Sequence, residues 1–497
     1  MSKRRRLQNY IFKHFDVVID SMSARGWGQG TYWDGEQKIP VEVRGAVPGD
    51  CVCVEGRRIE DSILQCVIVE MKKEGYPRIA STCCHSAVRC NKDTGCGGCT
   101  LRECSYDTQC RIKCDILRKM LAQQGIDSHV EPILPCEERA YYRNKMELSF
   151  GPNGDNEIGV GLHPSGFRYE VIDMVYCDML SPLLSQLSQK TARWAREHGV
   201  PYFKFRENSG FLRLLTLRMG KRTGKTMIIL TTSGEEEVVL EDGRQLSARE
   251  VVASFESEVL ASFEKPFDSV YWTIIHAQKG RQTVVEDRLL SGDAVLHEKM
   301  LMPDEAHALH YEVLPHAFFQ PNTIQAERLY RTVLDFARPY ISQDTPILDL
   351  YCGTGTIALS FARYGHRAIA IDIEKQAIEN ARENARKNGL ESQIEFYAGD
   401  TAEILKDLLD HHANFSEYLL VIDPPRRGLL PTAYRQLMRM RQKTIIYVSC
   451  NPESLAEDLR KFLDDGYEIV KIQPVDMLPQ TAHLETVVLL SKRESDS

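Results

Sequence analysis

The C-terminal third of the chain alternates regularly between two hydrophobic patterns. Helical periodicity is present at 324–337 and 375–388. Short apolar runs around these segments predict strands at 346–350, 368–371, 394–397, 418–422 and 444–448. Strands that alternate with helices of this length predict a parallel α/β sheet of the Rossmann-like kind, with helices on both faces. Ligands of such sheets bind at the carboxyl ends of the strands.

The front of the chain has a different pattern. Within 14–71, short runs of alternating apolar positions are interrupted by Gly and Pro, which predicts a small β-barrel. Such barrels often bind oligonucleotides, although a barrel that only packs against its neighbour fits this segment equally well. A helical pattern begins near Cys104 and runs toward Leu121, and from about 141 to 312 strand-like and helical runs are mixed.

Length and pattern together predict three domains. A chain of 497 residues is too long for one ordinary core, since domains average roughly 150 residues. We expect a barrel at 12–72, a central α+β domain at 80–312, and the α/β domain at 313–497.

Composition places the chain among soluble globular proteins, with 43% hydrophobic and 27% charged residues. No apolar run approaches the roughly 20 residues that span a bilayer. The basic segment at 1–6 is not followed by the apolar stretch of a secretory signal. We therefore expect a cytoplasmic protein that does not associate with membranes.

Charge and cysteine are both distributed unevenly. The net charge is −8, but residues 1–120 carry +5 and the remainder −13. The basic front fits a nucleic-acid partner, because phosphates are neutralised by Lys and Arg, and it also fits a merely solubilising segment. Eleven of the fifteen cysteines lie between Cys51 and Cys114. Without a secretion signal, this concentration predicts a metal centre and not a disulfide framework.

A glycine turn after the first strand of the α/β domain predicts a nucleoside site. The segment 349–356 places a Gly-x-Gly turn between strand and helix, where backbone can approach a ligand closely. Asp372 follows 19 residues after Gly353, where a carboxylate can bind two ribose hydroxyls, and Asp400 can accept from an adenine amino group. The third glycine of the dinucleotide fingerprint is replaced by Ala358. S-adenosylmethionine, a nucleoside without pyrophosphate, fits this pattern.

Two later strand ends carry the candidate chemistry. Asp423-Pro424-Pro425-Arg426 follows one strand; a D-P-P loop also occurs in enzymes that methylate exocyclic amines, but there an aromatic residue stands in place of Arg426. The next strand ends at Cys450, where the following helix is expected to lower the pKa of a thiol. Read alone, such a cysteine is more often a buried apolar residue.

Uracil carbon 5 is a poor nucleophile, and methylating it requires a thiolate and a base. Attack of the thiolate on carbon 6 creates an enolate, and a base must later remove the carbon-5 proton. Glu485, just before the closing strand 487–490, is the candidate base, although such a residue is usually a solvated carboxylate. His483 can equally act as the base or as a structural hydrogen-bond partner.

Five ordered motifs resemble those of the RNA 5-methyluridine methyltransferase family, and the resemblance covers most of the chain. The motifs are Phe318-Phe319-Gln320-Pro321-Asn322, 348–353, 423–426, 448–452 and 476–485. The resemblance implies Cys450 as nucleophile and Glu485 as proton acceptor. It implies a cofactor site formed by Gln320, Tyr351, Thr356, Asp372, Asp400 and Asp423, with Thr356 at a position where relatives commonly have Asn.

The front half resembles the branch that acts on ribosomal RNA. The segment 14–71 looks like the RNA-binding TRAM domain, an OB-like barrel. Cys90, Cys96 and Cys99 look like the iron–sulfur motif of that branch, with Cys177 as the fourth ligand. Four thiolates suit a [4Fe–4S] cluster, while zinc is the alternative metal. Cys84, six residues before Cys90, is an alternative first ligand.

The resemblance therefore implies a monomeric S-adenosylmethionine-dependent enzyme that forms 5-methyluridine in 23S ribosomal RNA. Transfer RNA is the alternative substrate. Methylation of an exocyclic amine or of cytosine carbon 5 is a second enzymatic alternative. An RNA-binding iron–sulfur protein that has lost catalysis is an alternative of another class.

Overall fold

The structure is a computed structural model that describes residues 7–86, 95–166, 169–277, 283–304, 307–411 and 415–493. Within these ranges the chain forms a closed barrel, a mixed central sheet and a C-terminal α/β sheet. No helix in the described ranges combines the length and the apolar character that a membrane crossing requires.

The barrel closes five strands in the order β1-β2-β3-β5-β4. The strands are β1 His14–Met22, β2 Gly28–Asp34, β3 Gln37–Val43, β4 Cys51–Glu60 and β5 Ile63–Lys73. Side chains along the first half of β1 alternate strictly between solvent and interior, as the predicted period of two requires. Gly30 is needed where strands approach, because a Cβ there would lie 2.5 Å from the carbonyl oxygen of Val18.

A helix and a mixed sheet follow the cysteine-rich segment. Helix α1 spans Tyr106–Gln123 and begins at Ser105, whose side chain accepts from the Thr108 amide. The central sheet has the order β14-β13-β10-β9-β6-β7-β8. Its elements and those beside it are β6 Lys145–Pro152, β7 Ile158–Leu162, β8 Ile172–Asp173, α2 Pro182–His198, β9 Leu212–Met219, β10 Thr226–Ser233, β11 Glu237–Val239, β12 Gln245–Ser247, α3 Ala248–Ser254, β13 Ser269–His276, β14 Val284–Gly292, β15 Leu296–Leu301 and β16 Ala308–Val313.

The C-terminal sheet confirms the predicted Rossmann-like alternation, with the order β19-β18-β17-β20-β21-β23-β22. Five strands are parallel, and β23 runs antiparallel to both of its neighbours. The elements are α4 Thr323–Ala337, β17 Ile347–Leu350, α5 Thr356–Arg363, β18 Ala368–Asp372, α6 Lys375–Lys387, β19 Ile394–Ala398, α7 Thr401–His411, β20 Leu419–Ile422, α8 Pro431–Met440, β21 Thr444–Ser449, α9 Pro452–Asp464, β22 Tyr467–Val475 and β23 Glu485–Lys492.

The chain between α1 and β6 joins the front of the molecule to the C-terminal sheet. The amide of Glu131 donates to the carbonyl of Ile472 at 3.0 Å, and the amide of Leu134 donates to that of Pro474 at 2.9 Å. This segment therefore runs along the edge strand β22. Helix α1, which follows the cysteine-rich segment, also packs against α9 of the C-terminal domain. Helix α1 therefore connects the cysteine-rich segment to the C-terminal sheet.

Candidate active site

The strand register brings three of the predicted residues to one edge of the C-terminal sheet. Ser449 on β21 pairs with Thr486 on β23, so Cys450 and Glu485 stand at the next position across the ladder. On the other side, Ile422 on β20 pairs with Tyr447, and Asp423 follows directly. Both carboxyl groups lie near enough to influence the Cys450 thiol electrostatically.

Hydrogen bonds fix the loop after Cys450 to the D-P-P loop. Asn451 caps α9 by accepting from the Glu453 amide at 3.2 Å. Its Nδ2 donates to the carbonyl of Arg426 at 2.8 Å, and the hydroxyl of Ser454 donates to the same oxygen at 3.0 Å. The two loops are thereby held as one unit, which keeps the thiol and Asp423 in register.

The Cys450 thiol differs from the sequence expectation in its protonation. Burial, together with the carboxyl groups of Glu485 and Asp423, raises its pKa to about 12, and Arg426 opposes them. We expected the start of α9 to lower this pKa. Burial and the two neighbouring acidic groups both disfavour a negative charge on the sulfur atom. Together they outweigh the opposite effect of the helix N-terminus.

The neighbouring acids also hold their protons more tightly than usual. Burial raises the pKa of Glu485 to about 8, and Asp423 adds to the effect. Burial likewise raises the pKa of Asp423 to about 7. A carboxyl group whose pKa lies near neutrality is suited to accept a proton in one step and release it in another.

His483 is neutral in this environment. Burial, together with the cations Arg426, Lys113 and Arg143, lowers its pKa to about 4. Its backbone amide donates to the Thr481 hydroxyl at 3.2 Å. A neutral imidazole can accept a proton or orient a partner, so both predicted roles of His483 remain open.

The turn after β17 leaves open space for a ligand. Tyr351, Gly353 and Gly355 all have positive φ, of 65°, 54° and 80°. A Cβ at Gly353 would meet no atom within 4 Å, and a non-glycine residue at positive φ, such as Tyr351, is typical of a functional loop. Asp372 holds the turn by accepting from the Gly353 amide at 2.8 Å.

The other predicted cofactor residues surround the same strand ends. Asp400 accepts from the Ala402 amide at 2.9 Å and so caps α7. The Tyr351 pKa is raised by burial, and its hydroxyl is hydrogen-bonded to Thr401. Gln320 is buried, and its backbone carbonyl oxygen accepts from the Asn144 side chain at 2.7 Å. Each side chain is thus positioned by a polar contact or by packing before any ligand binds.

Tyr330 was not identified from the sequence. It lies on α4, and the hydroxyl of Thr356 donates to its oxygen at 2.9 Å. Burial raises its pKa, and the carboxyl groups of Asp423 and Glu485 lie close enough to contribute. In the sequence it is one apolar-face aromatic residue among several, so the pattern gives no sign of this position.

A buried ion pair holds the loop that precedes Glu485. Lys113 on α1 and Asp476 are both fully buried, with Nζ 2.5 Å from the carboxylate. Lys113 also donates to the Leu478 carbonyl at 3.0 Å, and the Tyr106 hydroxyl donates to Asp476 at 2.6 Å. The signal in the sequence is a lysine within an apolar stripe of a helix, which requires a buried partner.

A second group of cysteines lines a cavity between the cysteine-rich loop and the central sheet. Its thiols belong to Cys83, Cys96, Cys99 and Cys177. Burial raises the pKa of Cys96 to about 12 and that of Cys177 to about 11, and the other thiols contribute in both cases. Three of the four predicted ligands therefore meet at this cavity.

The first predicted ligand, Cys90, lies outside the described residues. The alternative, Cys84, is exposed and is not among the residues that line the cavity, whereas its neighbour Cys83 is. Sequence reasoning passed over Cys83, because a pair of adjacent cysteines gives no indication of which one faces inward.

A buried cation faces the thiols. Arg102 forms an ion pair with Asp178, and its Nη1 lies 3.8 Å from the Cys99 sulfur. Within the described ranges, no three His, Cys, Asp or Glu side chains converge closely enough to hold a single metal ion. Thiols arranged around a cavity differ from such a site, because ligands of a cluster bind separate irons.

Comparison with known proteins identifies the family. Residues 280–493 match the family model described as tRNA (Uracil-5-)-methyltransferase. An uncharacterized RNA methyltransferase of Caldanaerobacter subterraneus subsp. tengcongensis is 33% identical over 477 residues, which are 96% of this chain and 98% of that protein. The chain belongs to the S-adenosylmethionine-dependent RNA uracil-C5 methyltransferase family. The resemblance of the five motifs to the RNA 5-methyluridine methyltransferase family is thereby confirmed.

Two further proteins are similar to this uracil-C5 methyltransferase over nearly its whole length. An uncharacterized RNA methyltransferase of Protochlamydia amoebophila is 32% identical over 461 residues, covering 91% of this chain and all of that protein. The crystal structure of the Pyrococcus abyssi tRNA (uracil-54, C5)-methyltransferase with S-adenosyl-L-homocysteine has a TM-score of 0.68 and 25% identity, covering 96% of this chain and 100% of that one. These matches confirm S-adenosylmethionine as cofactor and RNA as substrate.

Proposed function

We propose that this enzyme forms 5-methyluridine in 23S ribosomal RNA by covalent catalysis, with Cys450 as nucleophile and Glu485 as base. The observation that supports the mechanism most is the strand register that sets Cys450 across from Glu485, with Asp423 on the next strand. The ribosomal substrate rests on the resemblance of the barrel and the cysteine motif to the ribosomal RNA branch.

The reaction begins with loss of the Cys450 thiol proton, which the nearby Asp423 carboxylate can accept. The resulting thiolate forms a bond to uracil carbon 6, and the carbon 5–carbon 6 electron pair shifts toward oxygen 4 as an enolate. Carbon 5 then takes the methyl group. Glu485 removes the carbon-5 proton, the double bond re-forms, and the bond between sulfur and carbon 6 breaks to release the thiolate.

S-adenosylmethionine supplies the methyl group as a sulfonium cation. The residues that would hold it are Gln320, Tyr351, Thr356, Asp372, Asp400 and Asp423, and the space beside Gly353 is open for a ligand. Acidic groups suit this ligand, since carboxylates can accept from ribose hydroxyls and the adenine amine and can face the positive sulfur.

Digestion and mass spectrometry of methylated RNA test this function. Ribosomal RNA and transfer RNA from a strain that lacks the gene are each incubated with labelled S-adenosylmethionine. We expect 5-methyluridine in the ribosomal fraction. Label in an exocyclic amine or in cytosine would contradict the proposal, and label in transfer RNA alone would contradict its substrate.

Transfer RNA is the second candidate substrate. It is favoured by one specific observation, the likeness over the whole chain to the Pyrococcus abyssi tRNA (uracil-54, C5)-methyltransferase. An otherwise identical preparation that methylates transfer RNA at one uridine and leaves ribosomal RNA unlabelled would support this candidate.

We further propose that the cysteine-lined cavity holds the [4Fe–4S] cluster of the ribosomal branch. Cys96, Cys99 and Cys177 are three of its ligands, and Cys83 replaces Cys90 as the fourth. The donor set fits, since four thiols surround one cavity and Arg102 offsets their negative charge. With no electron transfer in the reaction, the cluster would serve to hold the cysteine-rich loop against the central sheet.

Iron and sulfide analysis of anaerobically purified variants tests the ligand assignment. We expect about four irons per chain in the wild type. Cys83→Ser should lose most of the iron, while Cys84→Ser and Cys90→Ser should retain it. Loss in Cys90→Ser with retention in Cys83→Ser would return the ligand to Cys90, and bound zinc without iron would contradict the cluster.

The domain division and assembly are part of the same proposal. We propose that the chain acts as a monomer with domains at 12–72, 80–312 and 313–497.

A further inference from the structure

A short hairpin of the central domain presents aromatic and cationic side chains to solvent. It precedes β9, and the Lys204 amide donates to the Ser209 carbonyl at 2.7 Å. Phe205 is 60% exposed near its tip, and Arg206 beside it is also exposed. A single exposed apolar side chain is common on protein surfaces, whereas several grouped together mark a candidate binding site.

Rings and guanidinium groups stack against one another around this hairpin. The Arg206 guanidinium lies 4.5 Å from the ring centre of Tyr169, which is 51% exposed. The Arg213 guanidinium lies 4.0 Å from the ring of Phe203 and 5.1 Å from that of Phe205. We name this set the ring–guanidinium strip; its members are Tyr169, Phe203, Phe205, Arg206 and Arg213.

Arg213 has hydrogen-bonding capacity that the described chain does not use. Its Nη1 is buried and has no hydrogen-bond partner among the described residues. Burial lowers the pKa of Arg213 as well, which is the expected effect on a cation without a counter-charge. The acid at the hairpin tip, Glu207, is 3.7 Å from Lys204 and so faces a different cation.

The strip continues toward the barrel. Gly166 lies three residues before Tyr169, and a Cβ at Gly166 would be 3.1 Å from a guanidinium nitrogen of Arg44 on the barrel. That guanidinium also lies 5.8 Å from the ring centre of Trp27. A second arginine–ring pair therefore lies on the barrel, beside Gly166 of the central domain.

The strip is distant from the reacting thiol. It lies at the Leu212 end of β9, whereas Met219 at the other end donates to the Asn144 carbonyl, and Asn144 binds Gln320. Seven residues of strand span roughly 20 Å. A molecule that touches the strip and the methyl-donor site at once must be extended.

We propose that the ring–guanidinium strip binds an unpaired strand of the substrate RNA, away from the target uridine. The inference rests on the proposed function, because it takes RNA as the substrate. Unpaired bases stack on aromatic rings and guanidinium planes, and the same arginines neutralise phosphates. Paired RNA offers only its backbone to such a surface, so the strip selects single strands.

The test is binding of a fluorescent 30-nucleotide single-stranded RNA of mixed sequence to full-length protein. The variant is Phe205→Ala/Arg206→Ala, which removes two exposed side chains. The matched control is Arg338→Ala/Tyr340→Ala, which removes another exposed arginine and aromatic ring after α4. Thermal melting of each variant checks that the fold is retained.

We expect the dissociation constant of the strip variant to rise roughly 10-fold, because stacking accounts for a large share of single-strand affinity. The slope of log affinity against log salt should fall by about 0.7 with the loss of one phosphate contact. Phe205→Tyr should bind as the wild type does, since the ring is kept. The control variant should change neither quantity.

Three results would overturn the inference: unchanged affinity in the strip variant, an equal loss in the control, or an equal loss on a duplex of the same sequence. Binding of a protein partner at this surface would give the first of these. Methylation of uridine by the wild type is measured in parallel. Absence of methylation would refute the proposed function. The comparison of dissociation constants would still test RNA binding at the ring–guanidinium strip.

Discussion

Burial raises the pKa of cysteine thiols both at the edge of the C-terminal sheet and at the cysteine-lined cavity, but the neighbours of the thiols differ. Cys450 faces the carboxyl groups of Glu485 and Asp423. Cys96 and Cys177 face other thiols across a cavity, with the cation Arg102 nearby. Carboxyl groups with pKa values near neutrality can transfer protons. A group of thiols beside a cation is suited instead to binding a metal cluster. The surroundings of a cysteine, more than its burial, indicate its chemistry.

Removal of the thiol at the sheet edge should separate the two regions most clearly. We expect Cys450→Ala to lower the rate of methyl transfer by more than roughly 10⁴-fold, since no other nucleophile can replace it. Affinity for S-adenosylmethionine and iron content should stay as in the wild type. The measurement is transfer of labelled methyl groups, with Cys51→Ala as a half-buried thiol control. Residual turnover within 10-fold of wild type would contradict the proposed role of Cys450.

Removal of the acid opposite Cys450 tests what distinguishes this region from the cavity. Glu485→Gln should slow release of the product by roughly 10²–10⁴-fold, because the carbon-5 proton loses its acceptor. Covalent RNA–protein complex should accumulate and be visible on denaturing gels. Glu468→Gln, an exposed acid on β22, is the control. Normal turnover of Glu485→Gln would transfer the role to His483 or another group.

The two regions are connected through α1, and its buried ion pair can be broken. Lys113→Met leaves Asp476 buried without its counter-charge, so we expect a loss of about 3–5 kcal/mol in the free energy of unfolding. Arg118→Met on the same helix removes only an exposed pair with Asp115 and should cost less than about 1 kcal/mol. Denaturant unfolding measures both. Equal losses would mean that the buried pair does not hold the loop before Glu485.

The pH dependence of product release from the covalent complex is the smallest of the expected effects. Glu485 accepts a proton only after losing its own, and its pKa is about 8, so release should speed up with rising pH. Below that pKa we expect about 10-fold per pH unit, with a plateau above it. Decay of isolated covalent complex across this range is the measurement. Release that slows as pH rises would show that Glu485 is not the base.

The sequence predicted the C-terminal sheet well, and the reason is local. Its strands are short continuous apolar runs between periodic helices, so the predicted strand at 444–448 is the structure's Thr444–Ser449. For the central domain, the sequence predicted only a mixture of strands and helices. The order of its sheet, β14-β13-β10-β9-β6-β7-β8, depends on contacts between distant segments that no window of sequence contains.

The sequence indicated the site residues that belong to a motif at the end of a strand. It missed residues whose position depends on tertiary packing. Cys450, Glu485 and Asp423 meet because their strands are neighbours, which the order of motifs implied. Tyr330 lies among apolar residues of α4, and only the folded chain brings its hydroxyl to Thr356. The raised pKa of Cys450 was missed because it depends on burial in the folded chain and on two carboxyl groups from other strands.

The most direct test of covalent catalysis is to trap the complex with RNA that contains 5-fluorouridine. Fluorine at carbon 5 cannot leave as a proton does, so the bond between sulfur and carbon 6 persists through denaturation. After digestion, mass spectrometry identifies the peptide that carries the nucleotide. The account predicts a methylated fluorouridine adduct on Cys450, absent in Cys450→Ala. An active preparation that yields no adduct, or an adduct on another cysteine, would contradict it.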